Sequence, residues 1–263
     1  MTAAEALRLA EEQLAEAGVE TPRVDAEWLV AHVLGVSRSA VYADGARRVP
    51  DNLHVLLERR RRREPLAYVL GEWDFRGLTL RTDPRALIPR PETEIVVERC
   101  LALLSRMEAP RVLDIGAGNG AIALAIASEH PSVRVTAVDT SPGAVALARE
   151  NAGRLGLAVD IHEGGIDEAA SGWDLVVSNP PYVAPEEWDS LQPEIRDWEP
   201  RAALVGTGLH EEIARRARTA WLVLEVGDGQ AQEVSDALRA HCYGRITITR
   251  DLAGKERVVE GSR

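Results

Sequence analysis

The sequence predicts an α/β protein in which a parallel, doubly wound sheet follows a small helical bundle. Three observations carry this. From Arg111 onward short apolar runs alternate with helical periodicity, whereas residues before Gly71 show only helical spacing and helix caps. The third is a glycine loop, "VLDIGAGNGA", set where the first apolar run turns into a helix. A chain of 263 residues is long for one core and short for three, so one large domain and one small one are expected.

The elements follow in order. Ala3, Leu7, Ala10, Leu14 and Ala17 recur at helical period, Thr2 and Glu5 can form a capping box, and Gly18 ends the run. A second helix starts in "TPRVDAEWLVAHVLG", with Thr21 as cap, Pro22 in the first turn, and Val24, Trp28 and Ala31 on one face before Gly35. A third is expected over Pro50 to Arg63. Residues 1–71 therefore read as a helical bundle. "FRGLTLRTD" alternates Leu78 and Leu80 with polar partners around a glycine, so residues 72–88 read as a connecting β-hairpin. Residues 89–263 form the large domain, opened by a helix in "ALIPRPETEIVVERCLALLSRM" with Pro91 near its first turn. The alternating series is then "RVLDI", "AIALAIASEH", "VRVTAVD", "SPGAVALARENAGRLG", "AVDIHE" and "WDLVVS". "WLVLEV", a helix over Gln230 to Ala240, and the pair "RITITR" and "ERVVE", expected as antiparallel edge strands, complete it.

Composition excludes several classes. The longest apolar run, Ala121 to Ala127, is far short of the ~20 residues a membrane helix needs. The amino terminus carries acids where a targeting peptide carries bases, so a cytoplasmic protein is expected. Cys100 and Cys242 stand far apart with no CxxC or His/Cys cluster, which points to reduced thiols and no metal site. A formal charge of −11 argues against a long nucleic-acid footprint. The run Arg59 to Arg63 reads either as a solvated helix end or as a docking surface for an acidic partner or RNA.

Gly116, Gly118 and Gly120 let a ligand approach the backbone at a helix amino terminus. Asp139 ends the next strand, where a carboxylate can take both ribose hydroxyls of a nucleoside. An adenosine-containing cofactor is expected. Gly116, Gly118 and Ala121 also satisfy the looser fingerprint of nicotinamide enzymes, but Asp114 inside the turn is a pattern similar to S-adenosylmethionine enzymes, whose cofactor has no pyrophosphate.

The stretch "VVSNPPYVAP" puts the least adaptable backbone directly after a buried strand. Pro180 pushes Asn179 toward extended conformation, and Pro181 does the same to Pro180. The Pro180 carbonyl and the Asn179 side-chain oxygen then converge as two fixed acceptors. Such a pair suits a planar –NH2, one hydrogen to each oxygen, with the Tyr182 ring against its flat face. An amide nitrogen is a feeble nucleophile because its lone pair is delocalised. Fixed acceptors stabilise the positive charge that develops on it during alkylation.

At this point the chain resembles the release-factor glutamine N5-methyltransferase family of HemK type. The likeness runs through "REPLAYVLGEWDFRGLTL", "LIPRPETEIVVE", "VLDIGAGNGAIALAIA", "AVDTSPGAVALARENA", "VVSNPPYV", "WEPRAALVG", "LEVGDGQ" and "DLAGKERVV". The resemblance implies a seven-stranded, Rossmann-like methyltransferase sheet, an amino-terminal helical domain that docks the partner, and a connecting hairpin. It implies S-adenosylmethionine as cofactor and S-adenosylhomocysteine as product. The implied substrate is the glutamine of the Gly-Gly-Gln loop of class-1 peptide chain release factors. Asp114, Gly116, Ala117, Gly118, Asn119, Gly120, Asp139 and Asn179 are implied to hold the cofactor, and Asn179, Pro180, Pro181 and Tyr182 to grip the glutamine amide. "IPRPETE" is implied to line the cofactor pocket from beneath.

The family pattern has a Gly-Asp pair near the adenine, whereas "EGGIDE" offers Gly165-Ile166 and displaces Asp167, which leaves the adenine contacts open. The stretch "VGTGLHEEIARRARTAW" is also shorter than the pattern. Besides a nicotinamide dehydrogenase, which would leave Asn179 to Tyr182 unexplained, three readings compete with release-factor methylation. One is a methyltransferase of a ribosomal-protein glutamine; another is a nucleic-acid adenine N6-methyltransferase, which the acidic charge disfavours. The last is a module that binds S-adenosylmethionine without turnover.

Overall fold

The computed structural model describes all 263 residues, which divide into two compact units. One comprises Met1–Glu72 with Gln192–Trp198; the other comprises Trp73–Leu191 with Glu199–Arg263.

In the smaller unit, α1 (Ala3–Glu16) opens on the capping box its sequence announces: Glu5 N–H donates to Thr2 Oγ1 at 3.3 Å and Thr2 N–H to Glu5 Oε2 at 2.8 Å. Helix α2 (Pro22–Leu34) ends at Gly35 in the left-handed region, φ 63°. Its buried stripe is Ala26, Leu29, Val30, Ala31 and Leu34, so Ala31 faces inward as expected, while Val24 is exposed. Thr21 does not cap the backbone either, because its hydroxyl donates to Asp25 Oδ1 at 2.8 Å. Both departures have one cause: Asp25 must face inward to meet Arg60, which rotates the stripe away from Val24. Helices α3 (Arg38–Ala43), α4 (Leu53–Arg61) and α5 (Leu66–Leu70) complete the bundle around Leu14, Leu29, Val30, Leu53 and Leu57. The expected helix over Pro50 to Arg63 is thus shorter at both ends.

The arginine run is a solvated helix end only at Arg61 and Arg62; Arg59, Arg60 and Arg63 turn inward to carboxylates. Arg60 is 5% exposed and donates to Asp25 Oδ2 at 2.6 Å and to Glu194 Oε1 at 2.8 Å, the latter on the short helix α9 (Pro193–Arg196). Arg63 grips both Glu194 oxygens at 2.6 Å, and Arg59 pairs with buried Glu64. Arg61 and Arg62 alone face outward, both toward Glu58. Identical letters part company because a helical turn places neighbours about 100° apart.

In the larger unit, β1 (Glu72–Phe75, its first residue counted with the smaller unit) and β2 (Leu78–Arg81) pair as a two-stranded sheet. Pro91–Thr93 is one 3-10 turn leading into α6 (Glu94–Leu104). The main sheet contains β3 (Arg111–Ile115), β4 (Arg134–Asp139), β5 (Asp160–Glu163), β6 (Trp173–Ser178), β7 (Thr219–Glu225), β8 (Ile246–Arg250) and β9 (Glu256–Ser262). Its seven strands run in the order β5-β4-β3-β6-β7-β9-β8. The first five are parallel, and β9 enters antiparallel between β7 and β8.

Strand side chains alternate between two cores, the pattern of a sheet covered on both faces. Val112, Leu175, Val177, Val223 and Val258 join α6, α7 (Ala121–Glu129) and α8 (Pro142–Leu155). Leu113, Val176, Leu222, Leu224 and Val259 meet α10 (Leu209–Arg216) and α11 (Ala231–Ala240) on the other. Because order reverses at β3, with β4 on one side and β6 on the other, a crevice opens beyond the carboxyl ends of β3, β4 and β6.

Candidate active site

The crevice is lined from β3 by Gly116, Ala117, Gly118 and Asn119, from β4 by Asp139, Thr140 and Ser141, and from β6 by Asn179 and Pro181. Leu87 to Arg90 and Thr93 form another wall. That wall is held by Glu199, 5% exposed, whose Oε2 accepts from Ile88 N–H at 3.1 Å while Oε1 takes the Arg90 guanidinium.

The loop after β3 reverses through three glycines at positive φ, 74° at Gly116, 58° at Gly118 and 89° at Gly120. At Gly116 a Cβ would meet nothing within 4 Å, so the bare backbone faces open space. At Gly120 a Cβ would press on Leu124 at 3.0 Å and Ala148 at 3.3 Å, so this glycine serves packing between loop and helices. Asp139 braces the loop from the next strand, accepting from Gly118 N–H at 2.9 Å and Ser141 N–H at 2.8 Å.

Asp114 does not line the crevice. It lies fully buried beneath the loop, with Oδ2 accepting from Ala123 N–H at 3.1 Å and Oδ1 without a partner. Burial pushes its carboxyl up to about 7 against the lowering effect of the Ala123 N–H, and the Asp139 charge adds to the rise. Asn119 Nδ2 is likewise buried and unpaired at the crevice wall. An orphaned donor, two glycines, Gly116 and Gly118, that leave the backbone bare at the crevice, and a strand-end carboxylate together fit an adenosine-bearing ligand with polar groups to satisfy. Asp167, the residue displaced in "EGGIDE", is exposed and paired with Arg216 away from this lining.

After β6 the backbone turns through Asn179, Pro180, Pro181 and Tyr182. Asn179 Nδ2 donates to Thr93 Oγ1 at 3.3 Å, and the Thr93 hydroxyl donates to Glu225 Oε2 at 2.7 Å. Neither Asn179 Oδ1 nor the Pro180 carbonyl receives a hydrogen bond from the chain. Pro180 is buried, and neither it nor Tyr182 is part of the crevice lining. Tyr182 aims its hydroxyl at Glu225 Oε1, 3.5 Å away, and its carbonyl accepts from Gln230 Nε2 at 3.0 Å. A Cβ on Gly227 would meet Gln230 Oε1 at 2.9 Å and the Tyr182 ring at 3.0 Å, so a larger residue there would have to displace the Gln230 amide and press on the ring. Burial lifts the Glu225 carboxyl to about 7 despite the Thr93 bond, and lifts Tyr182 to about 12, with the Glu225 charge reinforcing the latter.

Thr93 and Glu225 are the site residues that sequence reasoning passed over. Thr93 sits inside "IPRPETE", where it reads as part of a helix start. The available signal for Glu225 was its place as an acid closing the apolar run "WLVLE", the same signal that singled out Asp139 on β4.

Known proteins align with this architecture. Residues 5–71 match the domain family described as PrmC N-terminal domain, and residues 96–194 match the methyltransferase small domain. The chain is 40% identical over 263 residues to a release factor glutamine methyltransferase of Geobacter sulfurreducens, covering 94% of this chain and 92% of that one. It is 39% identical over 258 residues to the Escherichia coli protein of the same name, covering 92% of each. Among solved structures it is similar to the hMettl16 catalytic domain in complex with a MAT2A 3'UTR hairpin, with TM-score 0.59, 17% identity, and 82% and 84% of the two chains covered. It is also similar to the T. thermophilus 16S rRNA methyltransferase RsmC in complex with AdoMet and guanosine, with TM-score 0.53, 17% identity, and 73% and 49% covered. The structural likenesses, at 17% identity, show the fold alone, whereas identity near 40% along almost the whole length carries the stronger conclusion: the chain belongs to the release factor glutamine methyltransferase family.

Proposed function

We propose that the protein methylates the side-chain amide nitrogen, N5, of the glutamine in the Gly-Gly-Gln motif of class-1 peptide chain release factors, acting in the cytoplasm. The observation that carries the reading is the Asn179 carboxamide at the crevice wall, its nitrogen engaged by Thr93 and its oxygen left without a donor from the chain.

Gly116 to Asn119 and Asp139 would hold S-adenosylmethionine, which when bound would supply an electrophilic methyl group, with S-adenosylhomocysteine as the product. The remaining work falls to the chain. Asn179 Oδ1 and the Pro180 carbonyl each accept one hydrogen of the glutamine –NH2, which fixes the plane of the amide and turns its nitrogen lone pair toward the crevice. The same two oxygens favour the positive charge that grows on nitrogen, so they bind the transition state more tightly than the ground state. No base has to remove a proton beforehand, because the nitrogen loses it readily once alkylated. Pro180 and Pro181 make the arrangement stiff, since neither can donate a hydrogen bond and both have fixed φ. Tyr182 closes the flat side of the amide while its hydroxyl is turned toward Glu225.

The reading is tested by incubating the protein with methyl-labelled S-adenosylmethionine and separate pools of release factor, ribosomal proteins and DNA. Label is expected in the release factor alone; label in ribosomal protein or DNA in its place overturns the proposal.

A further inference from the structure

We infer that Thr93 and Glu225 are positioning residues that decide which end of the Asn179 carboxamide faces the substrate, an inference that rests on the methyl-transfer reading above. A carboxamide presents an acceptor on one side and two donors on the other. Only with Oδ1 outward can Asn179 take a hydrogen from a substrate –NH2; a half-turn of the group presents its own –NH2 and repels it.

The choice is made by a single hydrogen. An ionised carboxylate can only accept, so Glu225 Oε2, 2.7 Å from Thr93 Oγ1, commits the Thr93 hydrogen to itself. Thr93 then has only a lone pair to offer Asn179, and the partner it holds at 3.3 Å is Nδ2. Oδ1 is thereby turned away from Thr93. Thr93 is 4% exposed and Glu225 1%, so water does not replace either partner. When Glu225 carries a proton the chain of donors reverses. The carboxylic hydrogen goes to Thr93 Oγ1, the Thr93 hydrogen is freed toward Asn179, and the end of the carboxamide that suits it is Oδ1.

The groups facing Glu225 agree with this polarity. Tyr182 aims a hydrogen at Oε1 and keeps it, since its own ionisation is pushed up to about 12. The Arg257 cation favours the ionised carboxylate and the Glu92 charge opposes it. His210 meets only the backbone carbonyl of Glu225, at 2.8 Å, and burial holds its imidazole below the usual value. Burial sets the Glu225 carboxyl near 7, so the relay changes direction close to neutral pH.

The test uses the full chain with release factor as substrate. Thr93→Val keeps the shape without the hydroxyl, Thr93→Ser restores it, and Glu225→Gln replaces an acceptor-only group with one that both donates and accepts. Thr93→Val and Glu225→Gln are expected to lose roughly 100-fold in kcat, as a displaced reacting group costs. Thr93→Ser should stay within about threefold, and the KM for S-adenosylmethionine should move less than about threefold in all. Wild-type kcat should fall as pH drops through 7, whereas Glu225→Gln should be flat over that range. A second readout needs no turnover. In protein labelled with 15N-asparagine, the Asn179 side-chain signals, identified by their loss in Asn179→Asp, should exchange slowly with water at pH 8 and rapidly in Thr93→Val. Full kcat in Thr93→Val, or Asn179 signals indifferent to both Thr93→Val and pH, overturns the inference. If wild-type protein leaves the release factor unmethylated, the proposed function fails while the exchange measurement still decides the positioning.

Discussion

Removing Arg60 is the sharpest test of how the amino-terminal unit is held together. Its guanidinium is 5% exposed and donates to Asp25 Oδ2 at 2.6 Å, to Glu194 Oε1 at 2.8 Å and to the Glu64 carbonyl at 3.2 Å. Arg60→Met keeps most of the side-chain volume but leaves Asp25, 4% exposed, as a carboxylate whose cation is gone. Glu194 retains Arg63; at present the bonds from Arg63 and Arg60, against the upward push of burial, hold its carboxyl below the usual value. Stranding one partner of a buried pair costs about 3–5 kcal/mol, whereas replacing a pair by apolar groups is often neutral. Arg60→Met should therefore lose about 3–5 kcal/mol, and Asp25→Leu/Arg60→Met should recover more than half of it. Hydrogen exchange of peptides from Pro22–Leu34 and Leu53–Arg61 across a urea series measures the loss within this unit. Arg61→Glu and Arg62→Glu serve as controls, because both side chains are exposed and are expected to change stability by less than about 1 kcal/mol. An Arg60→Met loss below about 1 kcal/mol refutes the reasoning, as does a double variant no better than the single one.

Two further outcomes follow from the larger unit. Asn179→Ala should keep S-adenosylmethionine affinity within about tenfold by calorimetry while abolishing most turnover, since it removes an acceptor from the reacting amine; near-normal kcat contradicts that role. Asp114, raised from 3.8 to about 7 by burial, binds a proton more tightly folded than unfolded. Its contribution to stability therefore falls as pH rises from about 4 to 7 and stays low above, a difference of roughly 4 kcal/mol at full size. Asp114→Asn should flatten the Tm profile over that interval and melt above wild type at pH 8, and an unchanged profile contradicts the account.

What the sequence disclosed depended on whether a signal was local. The order of strands and helices after Arg111 is written in alternating periodicities. The antiparallel pairing of Ile246–Arg250 with Glu256–Ser262 is expected too, but only the former is an edge strand, because the latter lies buried between it and β7. Gly116, Gly118, Asp139 and Asn179 could be named because the turns that present them need those residue types, and the fold brings them to one crevice. The arginine run was illegible because its meaning lies in Asp25 and Glu194, 35 and 134 positions from Arg60 along the chain. Val24 misled for the same reason, since the helix turns to place Asp25. Thr93 meets Asn179 across 86 residues and Glu225 across 132, so nothing in "IPRPETE" marks its threonine as a bridge. Local spacing reports which backbone a segment adopts; buried polar partners are settled only when distant segments pack.

The most direct measurement of the central claim is fragment mass spectrometry of a class-1 release factor after incubation with the full chain and S-adenosylmethionine. One added methyl group on the side-chain nitrogen of the Gly-Gly-Gln glutamine, absent when Asn179→Ala replaces the wild type, is the predicted result. Methylation at another residue, or an unmodified glutamine in the presence of an enzyme that consumes S-adenosylmethionine on some other acceptor, contradicts it.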